Sequence, residues 1–303
     1  MSTRSDTDTE FDALLPGKST AAGSTRRTAL HMALGVGYAA AAAPVIAQTA
    51  IKTADTGLVA GTVKYMVDGF EVNAYRAAPE GKTGLPVILV IQEIFGVHDY
   101  IADTCRRLAK LGYLAIAPEL FARQGDARKY TEISQLQAEL VSKVPDAQVL
   151  KDLDATLDWA ASNGGDISRA GITGFCWGGR ITWLYAATGK VRAGVAWYGR
   201  LQGNASANQP QHPIDIAQNL KAPVLGLYGG KDQGIPLESV DAMKQALQKA
   251  ATAGNSFAGA STFHIYSDAG HAFHADYRPS FRKDAAEDGW QRMQDWFRLK
   301  GVV

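Results

Sequence analysis

Residues 170–180 read Ala-Gly-Ile-Thr-Gly-Phe-Cys-Trp-Gly-Gly-Arg. An apolar strand leads into Cys176 and a helix follows it. This is the strand–turn–helix form of the G-x-S-x-G nucleophile elbow, with sulfur where the serine oxygen usually sits. The glycines serve the turn. A nucleophile on so sharp a bend sits in strained backbone, and side chains at Gly174 or Gly178 would collide with their neighbours. The bend lifts the thiol above the sheet edge. The helix starting near Gly178 directs its positive N-terminal end at the sulfur and favours the thiolate. A buried cysteine taken alone is ordinarily inert packing; the strand before Cys176 and the helix after it set this one apart.

Outward from the elbow, strands and helices alternate. Residues 61–67 and 70–77 are strand-like and are joined by Asp68-Gly69, a two-residue hairpin signal. Residues 86–91 (Pro-Val-Ile-Leu-Val-Ile) are a continuous apolar run, as expected of a strand buried on both faces. The pattern then predicts a helix over 98–111, a strand over 113–117 closed by Pro118, a polar helical excursion over 127–143 and a helix over 146–162. In that last helix Leu150, Leu153, Leu157 and Ala160 form a core-facing stripe. Downstream come a helix to about residue 188, buried strands over 193–197 and 223–228, and a helix opened by Pro236. A strand over 262–266 and a helix over 279–299, with Trp290, Met293 and Phe297 on its apolar face, complete the chain. Such alternation predicts an α/β fold: a mostly parallel central sheet of about eight strands, with helices on both faces and an antiparallel hairpin at its edge.

The 303 residues are 46% hydrophobic and carry a net charge of +1. The core is large, and nothing in the charge points to nucleic acid or an anionic membrane surface. Cys105 and Cys176 make neither a disulfide framework nor a zinc spacing, and Cys105 falls in the predicted helix 98–111 as a packing residue. Residues 1–50 differ in composition from 51–303, which form the folded domain. A polar Ser/Thr/Asp stretch precedes Arg26-Arg27, and an Ala/Gly/Leu-rich run follows up to Pro44-Val45-Ile46-Ala47. This reads as a twin-arginine export leader, with the export machinery as a partner and a periplasmic or exported protein as the outcome. The alternative is a disordered tail on a cytoplasmic protein. The apolar run is too short and too alanine-rich for a stable membrane span.

A thiol nucleophile wants a base, and the base wants an orienting acid. Each should sit in a loop just beyond a parallel strand, in the order nucleophile, acid, histidine. Asp232 follows the strand 223–228, and His271 follows the strand 262–266. His271 is the expected base and Asp232 the residue that fixes its tautomer. Proton transfer to the imidazole, or a resting ion pair, lowers the thiol pKa below its free value of about 8.5. His274 competes as base and Asp268 as acid. The loop after the strand 86–91 supplies one oxyanion donor in this architecture, so the backbone N–H groups of Ile94 and Trp177 take that role. Glu93 is either a surface glutamate at a strand end or a carboxylate that acts on the thiol.

Five segments together resemble the dienelactone hydrolase family (carboxymethylenebutenolidases) of the α/β-hydrolase superfamily. They are Gln92-Glu93-Ile94-Phe95-Gly96-Val97, the Gly112-Tyr113 to Glu119-Leu120 stretch, Gly174-Phe175-Cys176-Trp177-Gly178-Gly179, Gly229-Gly230-Lys231-Asp232 and Ala269-Gly270-His271-Ala272-Phe273. The resemblance covers nearly all of the folded part. It implies Cys176, Asp232 and His271 as the triad. It also implies that Glu93 contacts the resting thiol and takes its proton when substrate moves it. The implied reaction opens a lactone through a thioester acyl-enzyme, without metal or organic cofactor. The chain departs from the family at Ala275, where arginine would hold a substrate carboxylate. Arg123, Arg128 and Arg278 are the other candidates, each weighed against a solvated surface charge. Two further functions stay open: a general carboxylesterase acting on neutral esters, and a thiol redox or binding protein on a hydrolase scaffold.

Overall fold

The computed structural model describes residues 51–303; the expected export leader, with Arg26-Arg27, lies outside the described residues. The strands are β1 (Leu58–Val67), β2 (Phe70–Pro79), β3 (Leu85–Ile91), β4 (Leu114–Pro118), β5 (Gly165–Phe175), β6 (Ala193–Trp197), β7 (Val224–Gly229) and β8 (Thr262–Tyr266). They form one sheet in the order β1-β2-β4-β3-β5-β6-β7-β8. The β1–β2 hairpin turns at Asp68 and Gly69, both at positive φ, the backbone that a two-residue turn needs to match strand twist. β2 pairs antiparallel with β4, and every pairing from β4 through β8 is parallel. β3, β4, β6 and β7 are buried almost throughout, as their unbroken apolar runs require.

The helices are α1 (Asp99–Lys110), α2 (Ile133–Glu139), α3 (Asp146–Ser162), α4 (Trp177–Ala186), α5 (Leu237–Thr252), α6 (Ser256–Ala260) and α7 (Lys283–Leu299). β5 shows how they cover both faces. Residues three apart on a strand face opposite ways. A Cβ on Gly174 would strike Gly178 and Thr182 of α4, whereas one on Gly171 would strike Phe297 of α7. Glycine at both positions lets the two helices pack close to the nucleophile strand. Cys105 is buried in α1, in its expected packing role. Among the described residues no helix is long and apolar enough to cross a membrane.

Several boundaries differ from the sequence reading. β1 begins at Leu58 and β5 at Gly165, earlier than expected. The helical excursion over 127–143 consists of a 3₁₀ turn, the short α2 and a second 3₁₀ turn. Ala127 and Leu136 are both buried, and nine residues apart they would lie on opposite sides of a continuous helix. The last helix starts at Lys283 rather than near residue 279. Arg282 is extended, and its N–H donates to Phe273 O (2.9 Å), tying this segment to the loop that carries His271.

Candidate active site

Cys176 ends β5 and caps α4 with φ 54° and ψ −115°. Such backbone costs an L-residue about 1–3 kcal/mol and persists only where its surroundings enforce it. Here Cys176 N–H donates to Trp197 O (3.0 Å), and its carbonyl accepts from Gly179 N (2.9 Å). The first turn of α4 is pressed between two strand ends. A Cβ on Gly178 would lie 2.5 Å from Ile91 O and 2.6 Å from Gln92 O, and one on Gly179 would lie 2.6 Å from Trp197 O. The end of β3, carrying Gln92-Glu93-Ile94, therefore flanks the nucleophile on one side. The end of β6, carrying Tyr198, flanks it on the other.

His271 and Asp232 meet here. His271 Nδ1 lies 2.7 Å from Asp232 Oδ2, and Asp232 Oδ1 accepts from the N–H groups of Gly234 (2.9 Å) and Ile235 (3.2 Å). With both carboxylate oxygens engaged, the proton on the ring is fixed at Nδ1 and Nε2 is left for the thiol side. Nε2 is buried, and the Cys176 sulfur acts on the ring through its charge and through hydrogen bonding. Burial alone would lower the imidazole pKa; the charges of Asp232 and Cys176 outweigh it and hold the ring well above its ordinary value. Tyr198, itself at positive φ (38°), packs its ring 5.1 Å from that of His271.

The two competitors are elsewhere in role. Asp268 is exposed and pairs with Lys231 (2.7 Å). His274 is buried, and its Nδ1 meets Tyr100 Oη at 2.5 Å. Burial, and then the charge of Arg107, lower its pKa to about 3, so it is a neutral core ring.

Glu93 is not a surface glutamate. It is buried, and its Oε2 accepts from Tyr277 Oη (2.6 Å) and faces His98 Nε2 (3.3 Å). Burial alone would raise its pKa; the hydrogen bond from His98, the charges of Arg278 and His98 and the hydrogen bond from Tyr277 bring it down to about 2. Arg278 Nε donates to Tyr277 Oη (2.9 Å), and its guanidinium lies 4.7 Å from the Phe95 ring centre and 4.9 Å from that of Tyr277. The solvated-charge reading of Arg278 is thus corrected: the residue is buried inside the site, because its own loop folds back over Glu93. Arg123 turns away, pairing with Asp152 and reaching Val67 O. Arg128 is exposed and pairs with its neighbour Asp126 (2.8 Å). Ala275, at the family's arginine position, is buried.

Sequence reasoning missed His98, Tyr198 and Tyr277. Tyr198 carried a usable signal, since it is the first residue beyond a parallel strand, as Cys176 is. His98 and Tyr277 sit in loops whose contacts no spacing rule anticipates.

Known proteins share the sequence and the fold. Residues 72–300 match the model of the dienelactone hydrolase family. A Methylorubrum extorquens protein named "Putative carboxymethylenebutenolidase" is 56% identical over 97% of this chain and 100% of its own length. An Escherichia coli protein of the same name is 54% identical over 88% of this chain and 96% of its own length. A solved structure from Klebsiella pneumoniae, described as "Putative Dienelactone Hydrolase", superposes with a TM-score of 0.76 at 54% identity, covering 80% of this chain and 98% of that one.

Proposed function

This chain belongs to the dienelactone hydrolase family, and from that premise we propose a cysteine-dependent hydrolase that opens lactones or cleaves small esters through a thioester. The observation that carries the reading is His271, held by Asp232 at Nδ1 and acted on by the Cys176 sulfur. In the first step the thiol proton already sits on His271 Nε2, as the raised pKa of the ring favours, and the Cys176 thiolate attacks the carbonyl carbon. The oxygen that gains charge is received by the N–H groups of Ile94 and Trp177. Trp177 suits this role as the first residue of α4, because such an N–H has no intrahelical acceptor. Collapse breaks the ester C–O bond, and the imidazolium protonates the departing oxygen. Water, deprotonated by His271, then attacks the thioester. The acid product leaves and the thiol is restored.

Glu93 has a conditional part in this scheme. A carboxylate held near pKa 2 is a weak proton acceptor while His98 and Tyr277 engage it. The family role, in which Glu93 takes the thiol proton, begins with breaking those contacts. The neutral-ester reading rests on Ala275 and on the engagement of Arg278 with Tyr277 and Phe95. Against a redox role, Cys105 is buried in α1 and burial raises its thiol pKa, which leaves it a poor partner for disulfide exchange.

The test is hydrolysis of cis- and trans-dienelactone and of a panel of neutral esters by the wild-type chain, with Cys176→Ala as control. Activity lost in the variant is expected. Equal activity in both chains would refute the thiol mechanism, and activity confined to neutral esters would move the substrate class. For location we keep the export reading: fractionation should find the wild type in the periplasm and an Arg26→Lys, Arg27→Lys variant in the cytoplasm.

A further inference from the structure

The two proposed oxyanion donors, Ile94 and Trp177, come from different elements, yet both lean on one short segment beyond β4, Glu119-Leu120-Phe121. The base of that segment is fixed to the sheet. Glu119 N–H donates to Asn73 O (2.9 Å), which carries the β2–β4 pairing one step past Pro118. Its far end turns back on itself, with the N–H groups of Gln124 and Gly125 donating to Phe121 O (2.9 and 3.0 Å). These bonds run from backbone to backbone and do not depend on the Glu119 side chain.

The loop that carries Ile94 is clasped to this segment at both ends. Before Ile94, the buried Gln92 accepts Leu120 N–H at its Oε1 (3.2 Å). After Ile94, Glu119 Oε2 accepts Val97 N–H (3.2 Å). Each segment thus lends the other a side-chain acceptor for a backbone N–H. Between the two bonds the chain closes on itself. Glu93 and Gly96 form an isolated antiparallel bridge, and His98 N–H donates to Gly96 O (3.1 Å). Gly96 takes φ 76°, and a Cβ there would stand 3.1 Å from Glu119 Oε2. The carboxylate therefore lies directly on the Gly96-Val97 backbone, close after Ile94 in the chain. Trp177 completes the arrangement, its buried ring meeting that of Phe121 in a T-shaped contact with centroids 4.8 Å apart. A loop held at one end can pivot, and one held at both ends cannot. An oxyanion donor gives its full stabilisation only when it needs no reorganisation as charge develops.

We propose that Glu119 is a positioning residue for the hydrolytic reaction: with Gln92 it clasps the loop after β3 and holds the Ile94 N–H on the oxygen that gains charge. This role rests on the hydrolase reading and deepens it. It gives a task to a carboxylate outside the triad and outside the contacts that hold Glu93. Glu119 acts through its hydrogen bond to Val97 rather than through its charge, so an uncharged acceptor in the same place serves as well.

Three variants of the full chain test it: Glu119→Ala, Glu119→Gln and Gln92→Met. On p-nitrophenyl acetate, Glu119→Ala should lower kcat by on the order of 10²-fold with KM within about threefold of wild type, because the charged oxygen exists only in the transition state. Glu119→Gln keeps an acceptor oxygen and should recover most of that loss. Gln92→Met opens the other end of the clasp and should lower kcat in the same way; it decides the matter if Glu119→Ala fails to fold. Two readouts separate positioning from general damage. Alkylation of Cys176 by iodoacetamide builds no charge on a carbonyl oxygen, so its rate should stay within about threefold of wild type in all three variants. Hydrogen–deuterium exchange of the peptide spanning residues 92–98 should quicken in Glu119→Ala and not in Glu119→Gln. Wild-type kcat in folded Glu119→Ala and Gln92→Met, equal impairment of Glu119→Gln and Glu119→Ala, or alkylation falling in step with kcat overturns the proposal and, with the wild type active, leaves the hydrolase reading untouched. Conversely, a wild type inactive on every ester whose variants still show this exchange pattern would refute the hydrolase reading while the clasp stands.

Discussion

Replacing Gly178 by alanine perturbs the site without touching a reacting group. The new Cβ would stand 2.5 Å from Ile91 O and 2.6 Å from Gln92 O. Carbon–oxygen contacts settle at about 3.3 Å or more, so the chain at the end of β3 must retreat by roughly 0.8 Å. Both obstructing atoms are backbone, and neither can rotate aside. The retreat carries the Ile94 N–H away from Cys176. A misplacement of about 1 Å in a reacting site costs on the order of 10²-fold, or about 2.7 kcal/mol of transition-state stabilisation. The loss should fall on kcat, with KM little changed, because the charged oxygen exists only in the transition state. Overpacking should also cost about 1–3 kcal/mol of stability, a drop of several degrees in Tm. The assay is steady-state hydrolysis of p-nitrophenyl acetate beside a thermal melt. Gly259→Ala is the control, since its Cβ would meet only Ala251 Cβ at 3.2 Å. A Gly178→Ala protein that melts cooperatively and keeps kcat/KM within about threefold of wild type would refute the close packing of the β3 end on α4 as the device that holds the oxyanion donor.

Other expectations follow from the same geometry. His271→Ala should lower kcat by roughly four orders of magnitude or more, as triad members act as a unit, whereas His274→Gln should stay within about tenfold of wild type; reversed results would make His274 the base. Asp232→Asn should cost on the order of 10⁴ in kcat by releasing the wrong imidazole tautomer, and near-normal turnover would leave Asp232 a loop brace. Glu93 links stability to acid. Its folded pKa of about 2 lies below the ordinary 4.5, so its contribution is complete above about pH 4.5 and is lost as pH falls toward 2. Chemical denaturation of wild type should therefore weaken relative to Glu93→Gln across that window, by roughly 3 kcal/mol at most; parallel curves would show that Glu93 is not held by His98, Arg278 and Tyr277. Iodoacetamide should label Cys176 in the native protein and spare Cys105, whose thiol burial raises in pKa; mass spectrometry of the modified peptides reads the outcome.

Glu93 is clamped by three side chains. Arg278 supports Tyr277, Tyr277 donates to Glu93, and His98 faces the same carboxylate oxygen. The carboxylate is buried with hydrogen-bond partners, the condition under which a buried charge is tolerated.

Much of this protein was legible in one dimension. Unbroken apolar runs such as residues 86–91 and 223–228 imply strands covered on both faces, and Asp68-Gly69 implies a hairpin. Gly174, Gly178 and Gly179 mark the nucleophile turn because no side chain fits between α4 and the strand ends. Such features depend on local backbone sterics and burial, which neighbouring residues dictate. The tertiary structure alone decided which partner each side chain takes. His271 and His274 are three residues apart, yet one faces Asp232 beyond β7 and the other faces Tyr100 on α1. Arg123, Arg128 and Arg278 read alike in sequence, but one pairs with Asp152, one with its neighbour Asp126, and one closes over Glu93. These outcomes rest on distances between elements remote in the chain, and hydrogen bonds and charges act over a few ångströms of space rather than along the sequence.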